Sequence, residues 1–337
     1  MSDHWIYADF ESEINVLIDR LYKELLKVPR KLLPLADYYL KERLMFFLNS
    51  NEIRIDPRFG RPVPYLAYWF SETLRLHNKR IVDQLALSLC YISVVVSIRD
   101  DLADGRVVLN GTKVSEHAHI ALANYFYSKY YNIFRNIFSQ KSIFWSIFCY
   151  NLNQWSKYET WDFLLEKEPK YSPLTESFLR RSSDYLVAIT VPTLAAIAIL
   201  TKKYYHIPRL RNFLIDYCMG WKITDDLRDW RSDLNVPDRN HSTVIFQAMK
   251  YIENFNPNSV DTELVESVFL LNKEFIDSIY GAVLRNYNNA RKDVQRLNSR
   301  YLNEFIDLQI QFYSEERNLL IKARESIKTS LASILNK

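Results

Sequence analysis

The stretch LALSLCYISVVVSIRDDLADG, residues 85–105, decides the fold. From Leu85 to Ile98 apolar residues occupy every face, and then Arg99, Asp100, Asp101, Asp104 and Gly105 end the run. A buried strand rarely exceeds about eight residues, so the run reads as a helix, and a helix apolar all round belongs in the middle of a bundle. Leu186 to Leu200 is a second such run, with Pro192 inside it to kink it. Outward from these, apolar residues recur at three- and four-residue spacing and the breaks fall at Pro, Gly or Asn. The spacing predicts helices over Glu11–Lys27, Leu33–Leu48, Tyr65–Arg75, Arg80–Ala103, Ser115–Phe138, Ile143–Leu165, Leu174–Lys203 and Leu210–Trp230. It predicts four more over Ser242–Ile252, Asp261–Asn286, Asn288–Tyr313 and Glu315–Leu335. Asn51–Pro64 and Ser232–His241 read as long loops. No repeat, charge block or composition shift divides the chain, so residues 1–337 read as one all-α domain, an antiparallel helix bundle.

Composition agrees. Five glycines and eleven prolines are too few for the turns of a β-sandwich or the Gly-rich phosphate loops of an α/β sheet. Nineteen Phe, twenty-three Tyr and seven Trp suit either core packing or the lining of an apolar pocket. Forty-four Lys and Arg against forty Asp and Glu leave +4, which fits a small anionic ligand and falls short of a nucleic-acid-binding domain. Cys90, Cys149 and Cys218 are odd in number, widely spaced and set among apolar residues, so they read as buried reduced thiols of a cytoplasmic protein. Met1 to Ser12 has no basic run before an apolar stretch, hence no signal or transit peptide is expected. The two apolar runs are shorter than the roughly 18 residues of a membrane span, so a soluble protein with no integral membrane association is expected.

Two acidic clusters carry the chemistry. Asp100 and Asp104 are four residues apart on a helix C-terminus, one turn or roughly 6 Å from each other. They repel there, and the macrodipole already disfavours anions, so a cation is wanted. Asp225, Asp229 and Asp233 in ITDDLRDWRSD form a second stripe, which spans about 12 Å over two turns. Mg2+ takes one or two carboxylates together with water and substrate phosphate oxygens, which an open carboxylate face supplies. Two solvated acidic turns are the plain alternative.

With these motifs the chain resembles the class I terpenoid synthases, above all the bacterial-type terpene cyclases, with features of squalene and phytoene synthase-like enzymes. In layout the resemblance covers about Tyr65 to Tyr301. It implies an all-helical bundle around a central apolar cavity, three Mg2+ ions and a linear allylic prenyl diphosphate as substrate. Asp100, Asp101 and Asp104 match the family's DDxxD motif. On the opposite wall the family carries a second DDxxD or an Asn, Ser/Thr and Glu at positions one, five and nine, onto which Asp225, Asp229 and Asp233 fall. The family's upstream diphosphate-sensing arginine falls on Arg181, with Arg180 as the alternative, tethered by Asp184 beside a bend at Ser182–Tyr185. Arg300 and Tyr301 match the pair that closes over the diphosphate. A homodimer is a further expectation.

The resemblance implies ionisation of the carbon–oxygen bond in a water-free aromatic pocket, to which Tyr65, Tyr68, Trp69 and Phe70, or Trp155, Tyr158 and Trp161, are candidate contributors. Each is also an ordinary core residue. Arg228 and Arg231 either contact diphosphate or neutralise the acidic turn. Chain elongation calls for arginines soon after the first motif, where Arg106 stands alone, and for a Gln where the chain has Lys222. Head-to-head condensation is the runner-up, since DDLADG and LRDWRSD resemble its acidic motifs, but Asn240 and His241 resemble the cyclase pattern in reversed order. A non-catalytic helical binding protein is the reading from another class. Glu116, His117 and His119 read as a solvated helix start, and neither His77 nor His206 is favoured as a general base.

Overall fold

The computed structural model describes residues 6–45, 62–103, 105, 108–109, 112–165, 175–234, 242–252 and 262–335. Twelve α-helices run through them: α1 Glu11–Leu25, α2 Leu33–Tyr38, α3 Val63–Leu74, α4 Lys79–Ala103, α5 Glu116–Ile137 and α6 Phe144–Leu165. Then follow α7 Glu176–Leu200, α8 Ile207–Leu234, α9 Thr243–Met249, α10 Thr262–Leu271, α11 Lys273–Leu297 and α12 Arg300–Leu335. A π-helical stretch, Tyr39–Met45, continues α2. A minimal antiparallel hairpin, β1 Val108–Leu109 with β2 Thr112–Lys113, pairs Val108 with Lys113 and Leu109 with Thr112. Asp104, Arg106, Asn240, His241 and most of the two expected long loops lie outside the described residues, as do the side chains of Trp161 and Asp233.

The chain forms two compact units. The first comprises Met1–Asn153, Ala188–Leu210 and Leu297–Glu304, and the second comprises Gln154–Val187, Arg211–Arg296 and Phe305–Lys337. In the first, α4 is the central element and packs against α1, α3, α5 and the π-helical stretch. Its β-branched run Val94–Val96 is a poor helix former, but all three side chains are buried and packing outweighs propensity. Ser88 meets Thr193 of α7 at 2.9 Å, and its hydroxyl also donates to Leu85 O, so the polar group costs nothing inside. Glu24 of α1 is buried and takes bonds from Tyr125, Lys27 and Lys129, which joins α1 to α5. Asp83 of α4 is tied in the same way to Arg20 (3.1 Å) and Tyr68 (3.4 Å).

In the second unit α8 lies so close to α11 that a Cβ on Gly220 would meet the Tyr287 ring at 2.7 Å. Tyr217 stacks on Tyr287 and tilts against Phe305, while Trp230 stacks on Phe269 at 4.8 Å. Arg317 of α12 holds Asp277 of α11, and Arg324 donates to the Leu271 carbonyl at the end of α10.

Helices α4 and α7 are long and apolar enough to cross a membrane by length and composition, longer than the sequence runs suggested, yet 72% and 78% of their most apolar windows are buried inside the protein. They are apolar because they pack against protein. The C-terminal breaks also moved. The expected divisions near Tyr287 and Ser314 are helical, because Tyr287 is buried in the core of its helix pair. The breaks sit instead at Asn272, whose side chain caps the Phe275 N–H (2.9 Å), and at Asn298, which takes the left-handed conformation at φ 54°. Cys149 is exposed, unlike buried Cys90 and Cys218, because it falls on the outer face of α6.

Candidate functional site

The acidic ends of α4 and α8 divide their aspartates by the same rule. At the end of α4, in the first unit, Asp100 is exposed, whereas Asp101 is 3% exposed and accepts a 3.0 Å bond from the Tyr39 hydroxyl. Tyr39 opens the π-helical stretch and is itself fully buried, with its ring edge-on to His119. His119 is therefore not part of a solvated helix start: it is 2% exposed and its Nδ1 lies 3.1 Å from Ser115 O, while Glu116 and His117 stay at the surface. A helix start buries whichever of its residues faces the neighbouring helix, here position 119. Gly105 follows α4 with φ +65°, the left-handed turn that a side chain would resist.

In the second unit Asp226 is 3% exposed and fully engaged. It accepts from the Thr243 N–H (2.8 Å) and hydroxyl (2.6 Å) and pairs with Lys222 at 2.7 Å. Thr243 begins α9, so the carboxylate sits where backbone N–H groups need an acceptor. Asp225, by contrast, is partly exposed and pairs with Arg228 at 3.1 Å. Asp229, one turn further on, is exposed as a residue although its carboxyl is partly enclosed. That enclosure, then the Asp225 carboxylate beside it, holds its pKa above the usual carboxylate value, and Arg228 only partly compensates. Asp233 continues the stripe on the helix backbone. Arg228 also donates to Thr224 O, and Arg231 grips Glu266 of α10 through two nitrogens, so both arginines serve the helix surface.

The other expected residues are placed as follows. Arg180 and Arg181 are exposed on the first turns of α7, and Asp184 is 8% exposed. Asp184 accepts from Tyr158 of α6 (2.6 Å) and Arg211 of α8 (3.4 Å). The helix is unbroken through Ser182–Tyr185, and Ser182 and Ser183 donate back to Phe178 O and Leu179 O, the back-bonding to i−4 carbonyls that favours bending of a helix. Arg180 is felt at Asp216 of α8, whose pKa is raised to about 6 by burial and then by Asp293, against the pull of Arg180. In the first unit Arg300 pairs with Glu304 (2.9 Å), and the Tyr301 hydroxyl donates to Asp9 (3.2 Å) with Phe10 edge-on to its ring. Tyr65, Trp69 and Phe70 are fully buried and Tyr68 nearly so, and the Tyr65 hydroxyl has no hydrogen-bond partner among the described residues.

Sequence reasoning missed Tyr39, Thr243 and Arg211, and it marked Tyr158 only as a pocket aromatic, not as the partner of Asp184. A π-helical turn and a cross-helix cap leave no local pattern, so no signal in the chain marked them. Among the described residues no three His, Cys, Asp or Glu side chains converge closely enough to enclose a metal ion. What the second cluster offers is an open, oxygen-only face, Asp225 and Asp229, whose mutual repulsion a cation would relieve. That donor set fits Mg2+, which keeps its remaining positions for water and phosphate.

The architecture is the all-helical prenyltransferase and terpenoid synthase fold. Superposed on a geranylgeranyl pyrophosphate synthetase from the archaeon Geoglobus acetivorans, the chain gives a TM-score of 0.66 at 16% identity, covering 89% of this chain and 99% of that one. A geranylgeranyl pyrophosphate synthase from Lactobacillus brevis gives 0.67 at 14% identity, with 90% and 97% covered. A putative geranylgeranyl pyrophosphate synthase from Corynebacterium glutamicum gives 0.57 at 12% identity, with 95% and 96% covered. At these identities the likeness is one of fold. No family model and no curated protein matches the sequence.

Proposed function

We propose that the chain is a Mg2+-dependent enzyme that ionises a linear allylic prenyl diphosphate of the farnesyl or geranylgeranyl class and cyclises the resulting cation, releasing diphosphate. The observation that carries this reading is the division of the two acidic helix ends: Asp101 and Asp226 are held inside, while Asp100, Asp225 and Asp229 are left toward solvent. Asp100 and Asp104, and separately Asp225, Asp229 and Asp233, would hold Mg2+. Bound there, the metal supplies neutralisation of the leaving diphosphate. The chain's own parts in the reaction are to anchor the two acidic helix ends through the Tyr39 bond to Asp101 and the Lys222 and Thr243 bonds to Asp226, to clamp phosphate oxygens with Arg181 or Arg180 and with Arg300, and to keep water from the cation with apolar and aromatic side chains.

Chain elongation is the second reading, favoured by the solved structures of this fold, which bear the names of geranylgeranyl pyrophosphate synthases. Asp225, Asp226 and Asp229 also spell a second DDxxD. Against it stand the lone Arg106 and the Lys222 that occupies the Gln position and is committed to Asp226. The test is incubation of the purified protein with Mg2+ and farnesyl or geranylgeranyl diphosphate, with and without isopentenyl diphosphate, and analysis of the organic and aqueous products. A cyclic hydrocarbon or alcohol without isopentenyl diphosphate is expected. A longer diphosphate formed only in its presence would establish elongation, and a linear product of doubled length would establish condensation. Asp100→Ala should abolish Mg2+-dependent diphosphate release; undiminished release would refute all three.

A further inference from the structure

The turn between α3 and α4 and the turn between α7 and α8 are neighbours in the first unit, because Lys203 Nζ donates to the Leu74 carbonyl at 3.0 Å. Both preceding helices end on a basic residue in the left-handed conformation, Arg75 at φ 61° and Lys202 at φ 58°, where Gly or Asn is the usual choice. The helix dipole accounts for cations at those two C-termini. It does not account for Arg80 and Arg209, which stand in the first turns of α4 and α8, where a cation is disfavoured. Neither α4 nor α8 carries an acidic residue in the first turn to offset these cations. Arg75, Arg80, Lys202 and Arg209 are exposed, and none of them pairs with a carboxylate among the described residues. Glu72 is the one acid in residues 71–80, and residues 201–211 contain none. In the turn between α7 and α8, Tyr204 and Tyr205 stand 64% and 63% exposed. Two adjacent exposed tyrosines on neighbouring turns that also carry unpaired cations match a surface that is anionic outside and apolar just beneath, since the phenol ring prefers the headgroup layer and the cations the charge above it. A nucleic acid would ask for a basic groove along which the backbone could track, whereas here the cations stand on two short neighbouring turns with two exposed tyrosines.

We propose that this end of the first unit docks peripherally on an anionic phospholipid surface, with Tyr204 and Tyr205 entering the headgroup layer and Arg75, Arg80, Lys202 and Arg209 facing the lipid charges. The inference is independent of the reaction proposed above. It is tested by co-sedimentation of the full chain with vesicles of phosphatidylcholine alone and of phosphatidylcholine with phosphatidylserine, at low and high salt. Binding is expected only to the anionic vesicles and should fall with salt. Each cation near such a surface is worth about fivefold in affinity, so Lys202→Glu/Arg209→Glu should weaken binding about 25-fold or more. Tyr204→Ser/Tyr205→Ser should also release the protein. A control of equal net charge, Lys322→Glu/Lys328→Glu on α12, should bind as wild type, with circular dichroism showing that all variants are folded. The proposal is overturned if both double variants bind like wild type, if neutral vesicles bind equally well, if the control loses binding to the same extent, or if the chain ignores vesicles and instead binds a single-stranded RNA oligomer through these residues.

Discussion

Replacing Asp226 and Asp229 one at a time by Asn separates the aspartate that holds the fold from the one proposed to hold Mg2+. Asp226 is inside, with 4% of its side chain exposed, and it accepts two bonds from Thr243 and the Lys222 ion pair. Asn keeps one acceptor and brings an NH2 donor against either the Thr243 donors or the ammonium. Breaking a buried pair costs about 3–5 kcal/mol, and Lys222, at 27% exposure, recovers part of its solvation, which puts Asp226→Asn near the lower end at about 3 kcal/mol. For a chain of this size that is a fall in melting temperature on the order of 4 °C. Asp229→Asn works in the opposite direction. An acid whose folded pKa is raised is destabilising when ionised, so its neutral isostere leaves stability unchanged or slightly improved. Urea unfolding followed by circular dichroism at neutral pH, with slopes compared so that only midpoints are read, measures both. Equal loss in the two variants, or a stable Asp226→Asn, would refute the assignment of Asp226 to structure and Asp229 to the ligand.

Gly220→Ala brings a methyl into the Tyr287 ring at 2.7 Å; overpacking of about 1–3 kcal/mol exceeds the helix-propensity gain of about 1 kcal/mol, so a net loss is expected in urea melts, restored in part by Tyr287→Leu in the same chain. Asp216, raised to about 6, binds a proton in the folded state between its unfolded value of 3.8 and about 6, where the unfolded chain does not. Stability therefore falls as pH rises across that window and then levels, and Asp216→Asn should flatten that part of the profile of urea midpoint against pH. A profile identical to wild type would show that Asp216 titrates normally.

The helices and the two acidic ends were legible in the chain because both are local. A 3.6-residue period, a capping residue and a carboxylate one turn from another need no knowledge of the neighbours. Glu11, Leu33 and Lys79 begin helices at or within one residue of where the spacing puts them, and Ala103 ends one there. Only the tertiary structure decided which member of each Asp pair turns inward. Asp101 meets Tyr39 from a π-helical stretch and Asp226 meets Thr243 from another helix, and no local rule orients a side chain toward a partner far along the chain. The same reason moved the C-terminal breaks. The polar run Asn286, Asn288 and Asn289 looks like a loop, but burying Tyr287 against α8 outweighs the weak helix propensity of asparagine, and the chain turns at Asn272 and Asn298, where capping and a left-handed residue end the helices. Periodicity sets where a helix exists, and the surface it meets sets which of its charges remain available for chemistry.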